Sequence, residues 1–133
     1  MNNNKHLEDA KKLHRKAIEE FQKAKEKSDS IILRDACAKA WLSTLEATYE
    51  LLTKKGVKEK SLPKGGDRGR RYMVFKYANK ELRRLYFSLR DTLHIYGYYD
   101  GTLEFDEAEE YLNDLKSYIN KIGELESHEP SIN

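Results

Sequence analysis

Arg90, Asp91 and His94 fall within one short run of the stretch LRDTLHIYGYYDG, residues 89 to 101. In a regular helix, residues four apart share a face one turn from each other, so Arg90 and His94 would stand together with Asp91 beside them. A histidine can take or give a proton near neutral pH, and an arginine stays charged and can hold a phosphate or stabilise charge building on it. Together they suit phosphodiester chemistry. With RNA as substrate the 2′-hydroxyl can serve as nucleophile, and no metal is needed. The alternative is structural: His94 sits favourably against the dipole at a helix C-terminus, and Arg90 and Asp91 make intrahelical or subunit ion pairs.

Tyr96, Tyr98 and Tyr99 follow the histidine. Such rings can stack bases or simply close the end of a bundle. Cys37 is the only cysteine, so no intrachain disulfide forms, and no Cys/His cluster with ligand spacing suggests a metal. We read Cys37 as a small helix-packing residue, and expect neither a metal nor another cofactor.

The elements that must position these residues are helical. Leu7, Ala10, Leu13, Ala17, Ile18, Phe21 and Ala24 recur at three- and four-residue steps, which predicts a first helix over about 4–27. The SDS at 28 to 30 supplies capping residues for a second, about 30–55, the most apolar and so the central one. A breaker-rich stretch with four glycines and a proline, 56–69, reads as a flexible basic loop. A third helix is expected over about 70–95 and a fourth over about 104–122, with a frayed tail over 126–133. The whole reads as one all-α domain, a four-helix up-and-down bundle. The glycine spacing matches no Walker loop or dinucleotide fingerprint.

The net charge of +2 hides an asymmetry. Residues 54 to 90 carry thirteen Lys/Arg against three acids, and residues 91 to 133 carry two lysines against eleven acids. Within the basic stretch Lys64, Arg68, Arg70, Arg71, Lys76, Arg83 and Arg84 are candidates for a nucleic-acid backbone. The competing account is opposite patches that pair within the fold or between subunits. No apolar run is long enough to cross a bilayer and the N-terminus lacks the core of a signal peptide, so a soluble, cytoplasmic protein is expected.

A bundle of this size with an arginine-histidine motif late in its third helix resembles the HEPN superfamily of prokaryotic nucleotide- and RNA-associated domains. The segment LHIYGYYDG is similar to a branch in which a histidine, a tyrosine-rich turn and a glycine end that helix. The likeness spans most of the chain in architecture and is specific over residues 89 to 101. It implies a HEPN-like four-helix bundle and a homodimer in which two motifs share one cleft. In active members it also implies metal-independent endoribonuclease activity, often as the toxin of a toxin-antitoxin pair. Arg90, Asp91 and His94 match the family's arginine, polar residue and histidine in order. Tyr96 matches the tyrosine that, in one toxin branch, a partner nucleotidyltransferase antitoxin adenylylates. The departure is spacing: the family has four to six residues between arginine and histidine, and here DTL supplies three. In a regular helix one missing residue turns a position by about 100°.

Three functions follow as expectations. The first is an RNA- or nucleotide-binding homodimer that cleaves RNA, with His94 as general acid/base, Arg90 on the phosphate and Asp91 orienting one of them. The second is a non-catalytic helical interaction module. The third is the partner subunit of a separate nucleotidyltransferase.

Overall fold

Leu7, Ala10, Ala17, Phe21 and Ala24 wind onto one side of α1 (Lys5–Lys27), and all five are buried. The structure, a computed structural model, describes residues 5–127. Ser28 turns the chain in the left-handed region, φ 51°, and Asp29 then caps α2 (Ser30–Lys54) by accepting from the backbone N–H groups of Ile31 and Ile32. Helix α2 buries residues around much of its circumference, including Leu33, Trp41, Ala47 and Leu51, and it touches every other helix. A helix apolar on many sides belongs in the centre, as its composition requires.

After α2 the chain is pinned rather than loose at two points: Val57 and Leu62, on either side of a single 3₁₀ turn (Glu59–Ser61), pack with Tyr49 and Leu52. Helix α3 (Asp67–Tyr77) follows, starting three residues before the expected third helix. That expected helix is not continuous. Ala78 and Asn79 are extended, with ψ of 147° and 173°, and the Asn79 side chain accepts from the Leu82 N–H to start α4 (Lys80–Leu89). The four-helix expectation is therefore corrected to five α-helices among the described residues, with no strand. An asparagine ready to cap is what divides the third from the fourth.

Helix α4 runs without a break into a π-helix, Arg90–Tyr99. The last helix, α5 (Phe105–Gly123), opens with a reciprocal capping box between Glu104 and Glu107 and buries Ala108, Leu112, Leu115, Tyr118, Ile119 and Ile122. Its C-terminal carbonyls are capped from another helix: the Lys54 Nζ donates to Ile122, Gly123 and Leu125 O at 3.0, 3.1 and 3.0 Å. Of the tail expected to fray, residues 128–133 lie outside the described residues.

Candidate functional site

The motif sits on the π-helix, whose local contacts are distinctive. The Thr92 hydroxyl donates to Ser88 O at 2.7 Å, occupying a carbonyl of the preceding α-turn, a back-bond that bends helices. Further on, Asp100 N–H reaches back five residues to Ile95 O at 2.8 Å. Gly97 lies against Cys37, so closely that a Cβ there would stand 2.6 Å from the sulfur. Wider turns change the reckoning of the Arg-to-His spacing. Four residues slightly exceed one α-helical turn but fall just short of one π-turn. Arg90 and His94 are thus kept near one face, but from the opposite side of exact alignment.

His94 is clamped between rings. It stacks on Trp41 of α2, with centroids 4.7 Å apart and planes 12° from parallel, and Tyr99 meets it edge-on at 5.1 Å. Its Nδ1 is buried with no hydrogen-bond partner. Burial, then the positive charges of Arg90 and Arg70, lower its pKa from the ordinary histidine value, against a smaller opposing pull from Asp67. The ring is neutral at neutral pH and equipped to accept a proton.

Arg90 is committed on three sides. Its Nε and Nη2 donate to the two Asp67 oxygens at 2.6 and 2.9 Å, and its Nη1 donates to Asp91 at 3.0 Å. Arg71 adds a bond to Asp67 at 2.8 Å. The Arg90 hydrogen bonds, joined by those of Arg71, outweigh the upward push of burial and hold the Asp67 carboxyl at about 2, far below its usual range. Asp67 is the residue that sequence reasoning missed. It lies twenty-three positions from Arg90, and its one legible signal was an acid at a helix start.

Behind this pair, Tyr86 is fully buried, with its hydroxyl beside Arg70. Burial raises its pKa, opposed by the nearby Arg70 and Arg90 charges. The Arg70 Nε is buried without a hydrogen-bond partner of its own. Asp67, Arg70, Tyr86, Arg90 and His94 therefore form one electrostatic cluster, drawn from α3, α4 and the π-helix and backed by Trp41.

No family model, curated protein or solved structure matches the chain. Among the described residues no group of three or more His, Cys, Asp or Glu is placed to hold a metal, and no helix is long and apolar enough to cross a membrane.

The remaining candidates divide. Asp91 is exposed beside Arg90. Tyr96 is half exposed, with its carbonyl accepting from Thr102 N–H. His94 does not cap the helix end; that position belongs to Arg34, which donates to Tyr98 O and Tyr99 O at 2.5 and 2.7 Å. Lys64 pairs with Glu59 and Arg71 with Asp67. Among the described residues Arg68, Arg70, Lys76, Arg83 and Arg84 form no ion pair with a carboxylate. Lys54, the first cation of the basic stretch, is removed from any outward surface because it is buried at the end of α5.

Proposed function

We propose that this is a HEPN-like RNA- or nucleotide-binding protein whose Arg70–Arg90–His94 cluster engages a phosphodiester and cleaves RNA without a metal. The observation that carries the reading is His94 fixed between Trp41 and Tyr99, with Arg90 and Arg70 near enough to lower its pKa. The resemblance over residues 89 to 101 and the basic stretch support it. A neutral His94 takes the 2′-hydroxyl proton as that oxygen attacks the adjacent phosphorus. The arginines stabilise the charge gathering on the phosphoryl oxygens. The bond to the 5′-oxygen breaks, that oxygen takes up a proton, and a 2′,3′-cyclic phosphate remains. A homodimer would bring two such clusters into one cleft, and Tyr96 would be the residue open to adenylylation by a nucleotidyltransferase.

The test is cleavage of mixed-sequence RNA in excess EDTA by the wild type and by His94→Ala, at matched concentration and oligomeric state. Cyclic-phosphate ends formed by the wild type and lost in the variant are expected. Intact RNA with a folded wild type overturns the nuclease reading.

A second reading is favoured by one observation: every Arg90 nitrogen already has a carboxylate partner. In that reading the Asp67–Arg90 pair is a staple joining α3 to the π-helix of a non-catalytic interaction module. Arg90→Ala then lowers stability, and no activity exists to lose.

A further inference from the structure

The outward face of α3 carries a pattern that the cluster does not use. Tyr72 and Phe75 are each 63% exposed, although rings of this size normally earn burial. Arg68, Arg71, Tyr72, Phe75 and Lys76 are all exposed, and three- and four-residue steps place them on one side of the helix. Cations lie over the rings: the Arg83 guanidinium is 4.4 Å from the Phe75 centroid, and the Lys76 Nζ is 6.0 Å from that of Tyr72. The only acid in α3 is Asp67, and it is already held by Arg90 and Arg71. Within α3 the face therefore offers flat π surfaces and positive charge with no unpaired carboxylate.

We propose that this face is a stacking platform for single-stranded nucleic acid, with successive bases on Tyr72 and Phe75 and their phosphates drawn by Arg68, Lys76 and Arg83. The Cα atoms of the two rings differ by about 4.5 Å along the helix axis, a step that neighbouring bases span once a strand opens slightly. A duplex keeps its base faces inside its own stack, so only a single strand can use the rings. An acidic peptide would satisfy the cations but leave the rings without flat partners. Arg71, through the shared Asp67, places the N-terminal end of the platform beside Arg90. The inference rests on the RNA-handling reading for its choice of polyanion, and it does not require that His94 cleave.

Anisotropy of fluorescent oligouridylate, oligothymidylate, duplex RNA and polyglutamate, titrated with the full chain, tests it. The wild type is expected to bind the single strands more tightly than the duplex, more weakly as salt rises. Tyr72→Leu and Phe75→Leu, which keep apolar bulk on an exposed face, should each weaken single-strand binding at least about fivefold and leave duplex binding unchanged. A difference between the two single strands tells RNA from DNA as the source. Wild-type binding that the Leu variants retain, or that duplex or polyglutamate matches, overturns the platform and leaves the RNA-handling reading standing. Absence of binding to every RNA overturns both. A wild-type dimer that the Leu variants convert to monomer, with binding unaltered, assigns the face to self-association and overturns the proposal.

Discussion

The sulfur of Cys37 occupies the place where a side chain at Gly97 would begin, 2.6 Å from that position, with the Cys37 Cβ at 2.9 Å. Burial pushes the thiol up to about 11, so it packs as a small apolar group rather than a nucleophile. Gly97→Ala should destabilise the protein by about 1–3 kcal/mol, the cost of overpacking a filled core. Cys37→Ala in the same chain should restore part of it, because the sulfur contact goes and the Cβ contact stays. Urea midpoints of the two single variants and the double variant measure that coupling. Simple additivity would disprove the contact.

Lys54 and the end of α5 make a second pair that can be broken. Lys54→Met retains the buried stem and removes the donor, leaving the carbonyls of Ile122, Gly123 and Leu125 without it. A loss of about 1–3 kcal/mol is expected, read as a lower melting temperature. Glu50, 2% exposed and with its Oε1 unpartnered, also feels the Lys54 charge, which opposes the upward push of burial on its pKa. Loss of Lys54 should therefore raise the Glu50 pKa further.

His6 links α1 to two carboxylates, through Nδ1 to Glu46 at 2.7 Å and Nε2 to Glu59 at 2.8 Å. Burial alone would lower its pKa, but the two carboxylates outweigh burial and raise it. A neutral imidazole can donate to only one of them. The stabilisation is complete below the unfolded histidine value, about 6.5, and is lost as pH rises through the higher folded value. The stability difference between wild type and His6→Gln should shrink over that window. Chemical denaturation at stepped pH checks it, and a difference that grows with pH would count against the bridge.

His94 titrates in the opposite sense. Its folded pKa is depressed, so the unfolded chain binds the proton first as pH falls, and the fold loses stability as pH drops through the ordinary value of about 6.5. Its ring resonances should shift with a midpoint below that value. Arg70→Gln removes one of the two depressing charges and should move the midpoint upward. An unmoved midpoint would mean that Arg70 does not act on the ring, leaving burial and Arg90 as the causes.

Asp67→Asn tests what holds Arg90. The carboxyl, at about 2, favours the fold above the unfolded aspartate range, and that contribution fades as pH falls toward 2. The amide should lose this acid sensitivity and loosen α3. It should also free the Arg90 fork, so binding of inorganic phosphate should strengthen, measured by calorimetry against the wild type.

The periodic helices were legible because their apolar spacing is local. Leu7 through Ala24 and Ala108 through Ile122 predict α1 and α5 within a residue or two of their ends. Asn79 was a visible capping residue, but apolar residues on both sides of it, Tyr77 and Leu82, suggest one stripe and conceal it. The π-helix was not legible: no local pattern announces it, and one of its contacts, Cys37 against Gly97, spans sixty positions. Arg90 and His94 could be read as neighbours. Their actual surroundings, Asp67 for one and Trp41 and Tyr99 for the other, are tertiary. Tyr72 and Phe75 gave no signal of exposure, because composition does not say which aromatic positions face water.

Arg34 and Trp41 stand two turns apart on α2, about 10 Å along its axis. Arg34 grips the carbonyl of Tyr99, the ring of Tyr99 meets one side of His94, and Trp41 lies flat against the ring. The histidine is consequently surveyed from two fixed marks on a single rod. Its bearing is set by α2 rather than by the helix that carries it, so inserting or deleting a residue between 34 and 41 should misdirect His94 even with the motif itself untouched.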